Sequence, residues 1–273
     1  LILSNLPTNV SGRPWKSKRA LRDFMLACLD AQSETVRVVQ VGANDGKMED
    51  PIWQYWSHGK WSGVLIEPHP VYFADLQALH DHNPKIELVN AAVSETDGTM
   101  ALYHMAEHLR DECPDWLRGC ASFDKKRMEA AVQTANRKNR LDIPQSAVVS
   151  TDVNVRRLDD ILAELDKPKA DLLVVDVEGH EVAVLASFDF SSLEAKAAII
   201  ECNAGNREEQ QAIVSELNAA GMIAYQAAGD IIGLRPNAIT IPIEAMFHFE
   251  NMVPLAVDEQ PVPTNEHRCD EKC

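Results

Sequence analysis

VRVVQVGANDG, residues 36–46, runs a β-branched apolar stretch into a turn that carries Gly42 and Gly46. A strand, a glycine turn and then a helical pattern over Met48 to His58 is how an open α/β sheet begins its ligand crevice. Glycine permits φ > 0 and leaves room for a ligand where a Cβ would stand. A second strand, Gly63 to Ile66, ends on Glu67, about 20 residues past the turn, where one carboxylate can hold both hydroxyls of a ribose. The expected ligand therefore carries a ribose.

The turn narrows the choice. A dinucleotide site favours glycine at the middle of G-x-G-x-x-G so that the backbone reaches a pyrophosphate; here Asn44 holds that place and Asp45 follows. A carboxylate beside a diphosphate is penalised, whereas it suits S-adenosylmethionine, which has the ribose, a sulfonium and no phosphate. A dinucleotide and a turn that binds nothing are the alternative readings.

Working outward, Ser17 to Leu29 places apolar residues at helical spacing, and Val71 to His80 does so after the rigid Pro68-His69-Pro70 corner. Ile86 to Asn90 reads as a third strand, and its end at Asn90-Ala91 is either a place for a base to dock or a plain strand end. Asp97-Gly98 reads as a hairpin turn into Thr99 to Tyr103. Val153 to Val155 is a strand, and Asp159 or Asp160 is expected to cap the short helix that follows. Leu172 to Val177 is the most apolar run and reads as a central strand covered on both faces. Ala197 to Glu201, Met222 to Ala227, Ile231 to Leu234 and Ala238 to Ile243 read as later strands, with a helix over Glu208 to Ala220 closed by Gly221.

The pattern is α/β: a mostly parallel central sheet with helices on both faces. Residues 1–35 form a lead-in and helix, 36–245 the main domain and 246–273 a tail. Within the domain 104–150 breaks the alternation and reads as an inserted lid that selects the substrate. Its basic run Lys125, Lys126 and Arg127 reads as a solvated helix face, with contact to an anionic substrate as the alternative.

The end of the central strand gathers Asp176, Glu178, Gly179, His180 and Glu181, with Glu201 and Asn203 closing the next one. Acids and an imidazole at the end of a buried strand are costly unless they bind something. His180 is a candidate base or a surface histidine on the next helix; Asp176 or Glu178 serves as base if burial raises its pKa. With Glu201 these acids also suit a Mg²⁺ that would acidify a hydroxyl, although no metal ligand is assigned.

Composition excludes several classes. At 273 residues and 45% hydrophobic the chain can bury a large core, and a formal charge of −16 argues against nucleic-acid and anionic-membrane partners. With no apolar run of spanning length and no signal-peptide pattern, a cytoplasmic protein is expected. Leu1 in place of Met leaves an upstream segment open. Cys28 and Cys202 read as core, Cys113 and Cys120 flank a loop, and Cys269 and Cys273 beside His267 read as tail and not as a zinc site.

The ordered blocks VGANDG, IEPHP, NAAVSETDG, VRRLDD, DVEGHE and IIECN resemble the FkbM-type methyltransferase family over about Val36 to Asn203. The resemblance implies a Rossmann-like class I methyltransferase fold and adenosylmethionine-dependent methylation of a hydroxyl on a sugar, glycan or hydroxylated natural product. It implies that Gly42, Asn44, Asp45 and Gly46 surround the methionine part, that Glu67 binds the ribose and that Asn90 and Ala91 lie near adenine. Asp176 would stand between cofactor and acceptor, and Ser122 in CASF would lie near the active site. A nicotinamide-dependent oxidoreductase or epimerase and a non-catalytic binding module are the competing functions.

Overall fold

A computed structural model describes residues 20–240 except 168 and 203–205. Seven strands form the main sheet: β1 (Val36–Val41), β2 (Trp61–Ile66), β3 (Ile86–Val89), β8 (Leu172–Val175), β9 (Ala197–Glu201), β10 (Ile223–Ala227) and β11 (Asp230–Leu234). Their order is β3-β2-β1-β8-β9-β11-β10. Neighbours from β3 to β9 are parallel, and β11 runs antiparallel to both β9 and β10. The chain winds outward from β1 to β3, then returns to lay β8 on the other side of β1. That reversal makes a crevice at the carboxyl ends of β1 and β8, the ligand position in doubly wound sheets.

The two-residue period of the strands sorts side chains between two cores. Val39, Val41, Leu173, Val175 and Ile200 face α5 (Leu158–Glu164), α6 (Glu181–Leu185) and α7 (Arg207–Ala219). Val36, Val38, Leu172, Val174 and Ile199 face α1 (Ala20–Gln32), α2 (Pro70–His80) and the aromatic cluster of Tyr55, Trp56 and Trp61. Gln40 falls on this second face, a polar side chain 3% exposed in an otherwise apolar layer. This is the Rossmann-like arrangement expected from the sequence.

A second sheet is inserted between β3 and α5. Its strands β4 (Ala92–Val93), β5 (Gly98–Met105), β6 (Ala121–Ser122) and β7 (Val148–Arg156) lie in the order β4-β7-β5-β6. With α3 (Asp115–Gly119) and α4 (Lys125–Asn139) it builds its own core around Leu117, Met128, Val132 and Ala135. The expected lid, 104–150, is thus the middle of a larger unit framed by the β5–β7 pair, which is eight residues long.

Four local expectations change. The helix over Met48 to His58 is a loop followed by a 3₁₀ turn at Trp53–His58. Asp45 Oδ1 accepts from the Lys47 and Met48 N–H groups and Asp50 Oδ1 from Ile52 N–H, local bonds that compete with a helix, and Pro51 disfavours helix at the residue before it. Asp97-Gly98 is not a hairpin turn, because β4 and β5 both pair with β7; Asp97 Oδ1 instead accepts from Arg157 N–H at 2.9 Å. Asp159 and Asp160 lie in the first turn of α5 and do not cap it, since the N-cap is Arg157. Ala238 belongs to a turn after β11, and 241–243 lie outside the described residues, as do Asn203 and the Cys269/Cys273 tail. Cys28, Cys113, Cys120 and Cys202 are buried free thiols. No described helix is long and apolar enough to cross a membrane.

Candidate active site

A cavity of about 450 Å³ opens over the carboxyl ends of β1, β2, β8 and β9, within the size range of small-molecule sites. Its first wall is the turn after β1. Gly42 and Ala43 donate to the Ile66 carbonyl at 2.9 and 3.0 Å, and Asn44 takes the left-handed conformation (φ 50°) that asparagine tolerates better than most residues. Asn44 N–H donates to Glu67 Oε2 at 2.9 Å, while its side-chain amide donates to the Gly119 carbonyl of the inserted unit at 2.9 Å.

Glu67 is 5% exposed and lines the cavity. Its other oxygen accepts from His69 N–H at 2.7 Å. A carboxylate has about four acceptor positions, so two remain for a ligand. Burial pushes Glu67 up to about 7, against the lowering effect of these two N–H bonds. Glu67→Gln is expected to weaken binding of the cofactor product S-adenosylhomocysteine by about 1.5–3 kcal/mol, the value of a bond to a charged group. Calorimetry giving unchanged affinity would move the ribose elsewhere.

Three of the expected cofactor residues stand off the cavity wall. The Asp45 carboxylate is bonded to its own loop. Gly46 faces Leu76, Leu79 and His80 of α2. Asn90 braces the ends of β2 and β3 by donating to the Glu67 and Pro68 carbonyls at 2.8 and 3.2 Å. Gly42, Asn44, Glu67, Ala91 and Asp176 line the cavity together with Glu178 and His180. The acidic lining expected from Asp45 comes instead from eight other acids, Asp50, Glu67, Asp176 and Glu201 among them.

The second centre follows β8. Asp176 N–H donates to the Val41 carbonyl at 3.0 Å, which fixes the end of β8 against the turn, and its side chain is accessible from the cavity. The next residues fold tightly: Glu178 is left-handed (φ 55°) and Gly179 follows at φ 99°. Buried Glu181 organises this turn by accepting from Val177 N–H at 3.2 Å and Gly179 N–H at 3.0 Å. From outside, Ser122 Oγ, itself off the wall, donates to the Glu178 carbonyl at 2.8 Å.

Asp176, Glu178 and Glu201 bring carboxylate oxygens within 4.8 Å of one another. Arg127 of α4, expected on a solvated face, puts its guanidinium 2.7 Å from Glu178 and 3.4 Å from Glu201. A divalent cation among these acids would compete with that guanidinium. Cys120 Sγ donates to the other Glu178 oxygen at 3.2 Å, so Glu178 is engaged on both sides. Asp176 is the accessible acid. Desolvation at the cavity floor and the charges of Glu178 and Glu181 raise its pKa. Burial, then Asp176 and Glu178, raise Glu201 as well. His180 shares a 2.9 Å hydrogen bond with Ser94 Oγ through Nε2, meets Phe123 edge-on and is lowered by burial.

These shifts bear on stability. Burial pushes both Asp50 and Glu67 up to about 7. The unfolded chain releases those protons near the ordinary carboxylate values while the folded chain keeps them, so stability falls as pH rises toward 7. Asp171 acts in the opposite sense: burial raises it, but Arg37 and Lys196 outweigh that and hold it low, so its contribution is lost in acid. Calorimetric melting of the ligand-free protein should therefore show a midpoint that declines between pH 5 and pH 8. A flat or rising midpoint there would contradict the burial of these acids.

A family model described as the methyltransferase FkbM domain matches residues 40–232. The chain belongs to the FkbM methyltransferase family. The topology is accordingly that of a class I, adenosylmethionine-dependent methyltransferase. Similar solved structures include an FkbM methyltransferase from Methylobacillus flagellatus (15% identity, 74% of this chain and 44% of that one, TM-score 0.43). Others are precorrin-6y C5,15-methyltransferase from Geobacter metallireducens (10%, 78% and 88%, 0.39) and Aeropyrum pernix fibrillarin with natively bound S-adenosyl-L-methionine (10%, 80% and 75%, 0.39). This chain thus spans less than half the length of the Methylobacillus protein. No curated protein matches it. The residues of this FkbM-family cavity fit the family's cofactor: Glu67 keeps acceptor positions that a ribose could use, and the other carboxylates suit a cationic sulfur.

Proposed function

We propose that the chain is an adenosylmethionine-dependent O-methyltransferase acting on a hydroxyl of a sugar, glycan or hydroxylated small molecule. The observation that carries this reading is Asp176, an accessible carboxylate at the switch point of the sheet, with Glu178 held aside by Arg127 and Cys120. When bound, adenosylmethionine supplies a methyl group made electrophilic by its sulfonium. The protein then has to hold an acceptor oxygen in line with that methyl and remove its proton. Asp176 accepts the proton, and its raised pKa brings it toward the strength that an alcohol requires.

Trp116, 38% exposed at the cavity wall, offers an aromatic face on which a sugar ring can stack. A diphosphate ligand would have to lie among the carboxylates of this wall, which disfavours a nicotinamide dinucleotide. The charge of −16 likewise favours a small acceptor over nucleic acid.

The test is incubation of the protein with adenosylmethionine and panels of monosaccharides, polyols, phenols, amines and thiols, with products read by mass spectrometry. O-methylated product from a hydroxylated acceptor supports the reading. Methylation of amines or thiols alone, or of nothing, overturns it.

A further inference from the structure

The acids at the ends of β8 and β9 are met by a cation that comes from outside the main sheet. Arg127 lies in the first turn of α4, in the inserted unit, and its Nη2 stands 2.7 Å from Glu178 Oε2 and 3.4 Å from Glu201 Oε2. The guanidinium is seated on the turn after β8 itself, since a Cβ at Gly179 would come within 2.9 Å of Nη1. Ser122 fastens the start of α4 to the same turn. Its Oγ accepts from Asp124 N–H at 3.2 Å and donates to the Glu178 carbonyl at 2.8 Å.

Local preference does not account for this arginine. The first turn of α4 holds Lys125, Lys126 and Arg127 and no acid, so three cations crowd the positive end of the helix dipole. Lys125 is answered along the helix by Glu129 at 3.5 Å, whereas Arg127 is answered only across the fold. What it meets there is a set of three carboxylates, Asp176, Glu178 and Glu201, with oxygens within 4.8 Å of one another. Like charges at that spacing repel strongly in a partly desolvated cavity unless a cation stands among them. The ion pairs of Arg127 go to Glu178 and Glu201, and Asp176 is left outside them.

We propose that Arg127 is a positioning residue, the built-in counter-ion of this cluster, standing in the place that a divalent cation would otherwise take. It holds Glu178 and Glu201 as a paired set and leaves Asp176 as the one acid of the three open to an acceptor's proton. The segment that roofs the cavity thereby also prepares the base at its floor. The role given to Asp176 rests on the O-methyltransferase reading, while the counter-ion role stands apart from it.

The experiment is titration with Mn²⁺ alone, read by the electron paramagnetic resonance signal of the free ion. Arg127→Met should gain one site per chain, at least about tenfold tighter than the native chain offers there, because the ion no longer has to displace a fixed positive charge. Arg127→Met/Glu178→Gln should lose that site, and Arg127→Lys, which keeps the charge, should not acquire it; Arg127→Gln serves if Arg127→Met does not fold. A variant that gains no site would overturn the counter-ion, and so would a native chain that binds Mn²⁺ as tightly and loses it in Glu178→Gln. The second arm is methylation of a hydroxylated acceptor with EDTA present. Arg127→Met should lower kcat by about 10–100-fold, the scale of a misplaced reacting group, with KM within about twofold, and Arg127→Lys should recover part of the loss. An unchanged kcat would overturn the positioning role. A native chain that methylates no hydroxyl would overturn the O-methyltransferase reading, and the Mn²⁺ titration would still decide the counter-ion.

Discussion

Asp176→Asn should lower the rate of methyl transfer by about 10²–10⁴-fold, the usual contribution of a positioned general base, with S-adenosylhomocysteine affinity close to that of the native chain. The amide is similar in shape but takes no proton from the acceptor. It also removes a charge from a crowded group of acids, so the variant should melt no lower than the native protein. The pH dependence separates this role from a structural one. Since burial and neighbouring acids raise Asp176, the native rate should climb with pH until that group has ionised, and the residual rate of the variant should lack the rise. A variant that keeps more than a tenth of native turnover would remove Asp176 from the chemistry, and one that fails to fold would make it structural.

Gly42→Ala should be the most damaging of the single-atom changes at the site. The residue sits at φ 83°, where an L side chain is strained, and an added Cβ would lie 1.8 Å from the backbone carbonyl oxygen of Asp176. No rotamer relieves a clash between backbone atoms, and the end of β8 is pinned to Val41 by its own hydrogen bond. Either β1 and β8 separate or the turn is rebuilt, at a cost of at least about 3 kcal/mol. Urea unfolding should show a large fall in midpoint, and any folded remainder should bind S-adenosylhomocysteine poorly because the turn also places Asn44 against Glu67. Native-like stability would show that β1 and β8 approach each other less closely at this position.

Much of this architecture is legible in the residues. Runs such as Val36–Val41 and Leu172–Val175 are too short and too β-branched for helices, and their spacing implies crossovers and a parallel sheet. Glu67 and Asp176, expected at the crevice from their places at strand ends, both line the cavity. Other features depend on partners that no local pattern shows, some of them far away in sequence. Arg127 resembles a solvated residue on a basic helix until the fold brings it to Glu178, 51 residues on. Arg22 is hidden in an ordinary amphipathic helix and meets Asp230 across 208 residues. Asp45 and Asn90 stand off the cavity wall, Asp45 Oδ1 bonded to its own loop and Asn90 Nδ2 to the Glu67 and Pro68 carbonyls. The second sheet escapes because Thr99–Tyr103 and Val153–Val155 are ordinary strand patterns that say nothing about which sheet they join.

Several bonds tie the inserted unit to the rest, among them Asn44 to the Gly119 carbonyl, Ser122 to the Glu178 carbonyl, Cys120 to Glu178, and Arg127 to Glu178 and Glu201. If the inserted unit chooses the acceptor, as proposed, transplanting it from a relative would also disturb the acids at the ends of β8 and β9. A chimera that swaps residues between β4 and β7 without counterparts for Gly119, Ser122 and Arg127 should lose turnover on old and new acceptors alike, so useful grafts would be confined to the stretches between those anchors.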